Sequence, residues 1–166
     1  TMDYKMVAGA MRRLELLRKI QLRSAMTALG LHPGQPPMLE FILAHPGCTQ
    51  KEAADELDVS PASAAASLKR LEKAGLVARR QDAQDVRRNQ LELTAAGEAK
   101  VMAVREKMDA LDAQMFSGVT DQEAMAFLKT CETMFDNLAD ESTRTLTICK
   151  LHRAARAALV ANKEDD

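Results

Sequence analysis

The 166-residue sequence has no tryptophan, one tyrosine and four phenylalanines. So thin a supply of aromatics argues against a β-sandwich or barrel, whose packed faces draw heavily on them. Cysteine is also scarce: Cys48, Cys131 and Cys149 are odd in number and widely spaced. With no signal-peptide pattern beside them, they exclude a disulfide framework and fit reduced thiols in a cytoplasmic protein. Charge interrupts every apolar run well short of the ~20 residues that a membrane-spanning helix needs, so no membrane partner is expected. Neither sign of charge is in excess, with 23 Lys and Arg against 24 Asp and Glu, a net −1. That balance excludes a uniformly basic coat and an acidic disordered tail. A Gly-rich phosphate loop, a nucleophile elbow and an H-E-x-x-H helix are all missing, so no catalytic residue is assigned, no cofactor is called for, and an enzyme is not expected.

What the sequence does have is apolar content, 46% with ten methionines, enough for one compact domain or a small domain plus an assembly element. Its composition and helix punctuation predict a mainly α fold with a small β-hairpin. Residues 2–29 read as a helix with Val7, Met11, Leu14 and Leu17 on one face, ended by Gly30. Pro36 and Pro37 lead into a short helix from Met38 to Ala44, closed by Pro46 and Gly47. Thr49-Gln50-Lys51-Glu52 is a capping box opening a helix to Leu57. Ser60 then offers an N-cap oxygen and Pro61 takes the first helical position, where a missing N–H is harmless. That helix runs to about Ala74, and only Asp58 and Val59 separate the pair, a helix-turn-helix arrangement.

Two short strands are predicted next, 76–80 and 89–93, with a polar, charged connection from 81 to 88. Thr94 caps a long helix to about Met115, whose Val101, Val104, Met108, Leu111 and Met115 recur at the spacing of a helix packed along another. A second capping box, Thr120 to Glu123, precedes a helix with Ala124, Phe127, Leu128, Cys131, Met134, Phe135 and Leu138 on one face. Residues 141–162 can continue as a further helix, and the last few residues are expected to fray.

The second helix of the helix-turn-helix sorts its residues sharply. Ala64, Leu68 and Leu71 share its inner face; Ala62, Ala66, Lys69 and Lys73 share the outer one, with Ser63, Ala65 and Arg70 on the shoulders. Small side chains at its start let the backbone approach a DNA groove floor, and the cations lie toward its end. Ser60 to Ser67 contain no Arg, Asn or Gln for bidentate base contacts. Serine hydroxyls and alanine methyls remain, so A·T-leaning sites and shape readout are expected. Asp85, Arg87 and Arg88 lie near the tip of the strand connection, where arginines can enter an adjacent minor groove and Asp85 can orient one of them.

The segment SPASAAASLKRLEKAGLVARR, then Asp85-Val86-Arg87, Leu91-Glu92-Leu93-Thr94 and Gly97, resembles the MarR family of winged helix-turn-helix transcription regulators, most specifically over residues 31–97. The resemblance implies a winged helix-turn-helix plus a helical dimerisation region. Its divisions fall at 2–29, an N-terminal dimerisation helix; 31–97, the DNA-binding domain; and 98–162, dimerisation helices with a C-terminal extension beyond the usual end. It implies a homodimer on a pseudo-palindromic operator in double-stranded DNA. Contacts would come from Ser60, Pro61, Ala62, Ser63, Ala65, Ala66, Lys69, Arg70, Lys73 and Arg88, with Arg87 in the minor groove and Asp85 its orienting partner. Val7, Met11, Leu14, Val101, Val104, Met108, Leu111, Phe127, Met134, Phe135 and Leu138 would serve dimerisation. A ligand-responsive repressor with a small-molecule effector of unknown identity is the functional expectation; the alternative is a winged-helix protein-interaction module without operator binding.

Sensor chemistry is weakly signalled. Peroxide-sensing members carry a reactive cysteine in the N-terminal helix, and this chain has none there. Cys48 precedes a helix start, which can lower a thiol pKa, while Cys131 on an apolar face reads as a buried inert thiol. His45-x-x-Cys48 and Cys149-x-x-His152 each supply only two ligands, even with His32 near the first pair, so no metal site is assigned. The near-neutral total also divides unevenly. Residues 60–88 hold seven Lys or Arg against three acids, a local +4, and residues 98–166 hold nine against thirteen, a local −4.

Overall fold

A computed structural model describes residues 2–81 and 89–161. Seven helices and three strands follow one another as α1 (Tyr4–Ala28), α2 (Gln35–Ala44), β1 (Cys48–Thr49), α3 (Gln50–Leu57), α4 (Pro61–Lys73), β2 (Val77–Gln81), β3 (Asn89–Leu93), α5 (Ala95–Met115), α6 (Asp121–Leu138) and α7 (Ile148–Ala161) among the described residues. The mainly helical architecture with a small sheet matches the sequence expectation. So do the punctuation marks. Both capping boxes form, with the Thr49 and Thr120 hydroxyls accepting from the Glu52 and Glu123 amides and the glutamates reaching back. Gly75 follows α4 at φ 71, the left-handed turn that lets the chain leave a helix abruptly.

Three local departures have physical reasons. The hairpin is part of a three-stranded antiparallel sheet, order β1-β3-β2, in which Cys48 pairs with Leu91 and Thr49 with Gln90. Two residues are too few to show an alternating pattern, so β1 leaves no trace in sequence periodicity. The second helix starts at Gln35 rather than Met38, because the buried Gln35 carboxamide oxygen accepts from the His32 amide at 2.7 Å and locks the entry turn. Residues 141–147 form turns, and α7 begins only at Ile148. There the Asp140 carboxylate accepts from the Thr143 amide (2.8 Å), the Thr143 hydroxyl (2.7 Å) and the Ser142 hydroxyl (2.7 Å), a side-chain network that competes with helix formation. The same bonds hold the Asp140 carboxyl down to about 2.

One buried core joins the helix-turn-helix to the sheet: Met38, Leu39 and Ile42 of α2, Ala53 and Ala54 of α3, Ala64, Leu68 and Leu71 of α4, and Val77 and Leu91 of the strands. Met26 of α1 and Val101 and Val104 of α5 complete it, so its packing passes beyond residues 31 and 97 at both ends. Val101 and Val104, expected in an interchain seam, are 1% and 2% exposed within the single chain because α5 leaves the wing directly over the core. Polar anchors fix α5 on its other sides. The Lys100 ammonium donates to the Leu29 carbonyl at the end of α1 (2.8 Å), Arg105 holds the Glu40 carboxylate of α2 through two bonds (2.8 and 2.6 Å), and Asp112 accepts from Arg18 of α1 (2.9 Å).

Outside this core the helices are bare. Residues 4–17 of α1 are all exposed, and α6 buries no residue. Val7, Met11 and Leu14 on α1, and Phe127, Phe135 and Leu138 on α6, are exposed apolar side chains, while Met134 and Leu111 are half-buried and Met108 lies at the margin of exposure. No described helix is long and apolar enough to cross a membrane.

Candidate nucleic-acid interface

The helix-turn-helix is set by two opposite caps. Asp58 ends α3 in a left-handed conformation, φ 54, and Ser60 begins α4 with its hydroxyl accepting from the Ser63 amide at 3.1 Å. Pro61 occupies the first turn as expected. Ser60 also donates to the Ser63 hydroxyl at 2.9 Å, so both of its hydrogen-bonding directions serve the cap. Ser63 keeps its own hydroxyl hydrogen, whereas the Ser60 hydroxyl shapes the helix start.

From this start α4 presents the faces that its spacing predicts. Ala64, Leu68 and Leu71 are at most 1% exposed, which fixes the rotation of the helix about its axis. Ala62, Ser63, Ala66, Lys69, Arg70 and Lys73 are consequently exposed, and Ala65 is half-buried. Among the described residues no carboxylate pairs with Lys69, Arg70 or Lys73. The outer edge of α4 is therefore a small-residue start followed by three uncompensated cations. Asp85, Arg87 and Arg88 lie outside the described residues.

The sheet fixes the direction in which the hairpin leaves. Its five-residue register runs from Val77 opposite Leu93 to Gln81 opposite Asn89. Arg79 does not face outward as a free cation: its guanidinium bonds Glu72 of α4 (2.5 Å) and the Gln50 carboxamide of α3 (3.1 Å), tying β2 to both helices of the helix-turn-helix. Arg80 pairs with Glu92 across the hairpin at 2.9 Å. At its base the Thr94 hydroxyl donates to the Gly75 carbonyl (2.6 Å) and accepts from the Gly97 amide (3.0 Å), so one residue caps α5 and clamps the exit of α4. These bracing roles were not apparent from sequence. The spacing of Glu72 and Arg79 gives no hint of them until the hairpin folds back over α4.

The cysteines also differ from expectation. Cys48 is buried in β1, and burial, reinforced by the Glu52 carboxylate, pushes its thiol above the ordinary cysteine range rather than below it. Cys131 is half-buried, lining a shallow groove on α6 with Glu132, Phe135 and Asp136, and so is not sealed in a core. Among the described residues no three His, Cys, Asp or Glu side chains converge to hold a metal ion.

Comparison with known proteins points one way. A family model described as MarR family matches residues 29–88. A solved MarR-family transcriptional regulator from Silicibacter pomeroyi is 32% identical, covering 78% of this chain and 88% of that one, with a TM-score of 0.54. The S. aureus MepR–DNA complex is 25% identical over 77% of this chain and 96% of that one, TM-score 0.67. YusO from Bacillus subtilis, 23% identical over 84% and 100%, shares the fold with a TM-score of 0.71. Among curated proteins no sequence match is found.

Proposed function

Since this chain belongs to the MarR family of transcription regulators, we propose that α4 is its DNA-reading helix and that it represses transcription as a homodimer on a pseudo-palindromic operator. The observation that carries the reading is the outer edge of α4, where Ala62, Ser63 and Ala66 lead into Lys69, Arg70 and Lys73, exposed and without a carboxylate partner among the described residues. Small side chains admit the helix start to a major groove, and the cations then fall where phosphates flank it. The S. aureus relative solved with DNA supports the same assignment. Arg87, with Asp85 to orient it and Arg88 beside it, is assigned to the adjacent minor groove. With two-fold symmetry the half-sites lie about 34 Å apart, one helical turn of DNA.

The bare faces of α1 and α6 favour dimerisation through those helices, and a small-molecule effector that alters their packing would change the spacing of the two reading helices. The residues on these faces are generic apolar types that do not name the effector. No residue is given a catalytic role, in keeping with relatives that are transcription regulators.

The test is binding to the duplex upstream of the protein's own gene across a salt series. Lys69→Ala or Lys73→Ala should each lower the log–log salt slope by about one unit and weaken all sequences alike, while Arg87→Ala should weaken A·T-flanked sites most. Unchanged slopes in both lysine variants would reject the phosphate contacts, and unchanged affinity of Arg87→Ala at moderate salt would reject the minor-groove contact. No salt-sensitive binding by the unaltered chain would favour a protein-interaction module instead.

A further inference from the structure

The extension beyond α6 returns to the helix-turn-helix. Arg153, near the middle of α7, forms an ion pair with the Asp58 carboxylate and places a guanidinium nitrogen 3.5 Å from the Asp58 carbonyl oxygen, a contact across 95 residues of sequence. Asp58 is an unusual residue in its own right. Among the described residues it is the only one besides glycine with positive φ, and it stands two positions before Ser60, the cap of α4.

A short polar side chain suits that left-handed turn, since Asp and Asn tolerate it better than other non-glycine residues. A bare carboxylate there is a handicap beside DNA, because it lies next to the helix start assigned to the groove and repels phosphate. Segment 148–161 contains Lys150, Arg153 and Arg156 and no acid. The geometry points to Arg153 as a positioning residue that cancels the Asp58 charge, so that the C-terminal extension sets the electrostatic face which the reading helix presents to DNA. This rests on the DNA-binding role proposed for α4. The pair is partly exposed, with 60% of the Arg153 side chain and 30% of the Asp58 side chain accessible. Its effect on folding is accordingly small, but one uncompensated charge within a Debye length of several phosphates changes affinity severalfold.

A four-member mutant set on the full chain tests this by fluorescence anisotropy, with a labelled duplex from the region upstream of its own gene and melting temperature as a folding control. Arg153→Ala should weaken binding about three- to tenfold at ~0.1 M salt. Asp58→Asn, which keeps a left-handed-tolerant side chain, should bind more tightly than the unaltered chain because Arg153 then stands uncompensated, and the double variant, whose pair is again neutral, should return to about the affinity of the unaltered chain. If Arg153→Ala binds like the unaltered chain, or the double variant binds as weakly as Arg153→Ala alone, the charge-cancelling role is overturned while α4 keeps its own. If the unaltered chain fails to bind the duplex, both fall together.

Discussion

Gly97 has no room for a side chain. A Cβ there would stand 2.0 Å from the Leu76 carbonyl oxygen and 3.0 Å from its carbonyl carbon, and both are backbone atoms that cannot swing aside. Gly97→Ala should therefore destabilise the fold by about 1–3 kcal/mol or more, seen as a lower urea midpoint with an unchanged slope. A midpoint within error of the unaltered chain would mean that the crossing of α5 over Leu76 is looser than its packing indicates. The Thr94-x-x-Gly97 spacing was legible in the sequence as a family pattern, but its cause was not, since it lies in a tertiary approach between segments twenty residues apart. Cys48 makes the same point in reverse. A helix start beside it suggested an activated thiol, yet burial in a strand too short to foresee prevails over that local effect.

At the scale of elements, what local chemistry encodes was readable. Thr49, Ser60, Thr94 and Thr120 each cap the helix expected of them, because a cap and its amide lie within three residues. The misjudged segments are those where a side chain acts across a turn or a strand partner lies far away: Gln35 at the entrance of α2, Asp140 ahead of α7, and β1 on β3. Thr94 belongs to both groups, since it caps α5 locally and grips Gly75 at long range. Thr94→Ala should lower stability by about 1–2 kcal/mol, and Thr94→Ser should recover most of that, because serine supplies the same oxygen and hydrogen. Thermal unfolding followed by circular dichroism separates the two. Equal losses for both variants would indicate that the threonine methyl, rather than the hydroxyl, carries the effect.

Across the whole molecule, periodicity showed which faces are apolar without showing which chain covers them. Val101 and Val104 share a helical face with Met108 and Leu111, yet the first two complete the core of their own chain while Met108 reaches solvent. On α6 no residue is buried, and Phe127 and Phe135 are 46% and 41% exposed. If those faces meet in a dimer, Phe135→Glu should shift the sedimenting species from dimer toward monomer and leave the helical content of the chain nearly intact. A dimer that survives the change would place the assembly surface elsewhere. The three anchors on α5 have a mechanical meaning as well. With 21 residues the helix is about 31 Å long, its first turn clamped to the end of α4 and its far half bonded to α1 through Asp112. It is a lever arm: a tilt of about 5° about its far end carries the near end through about 3 Å, close to the ~3.4 Å between successive base pairs. If α4 reads DNA as proposed, a rotation that small in the helical body would shift it by about the rise of one base pair.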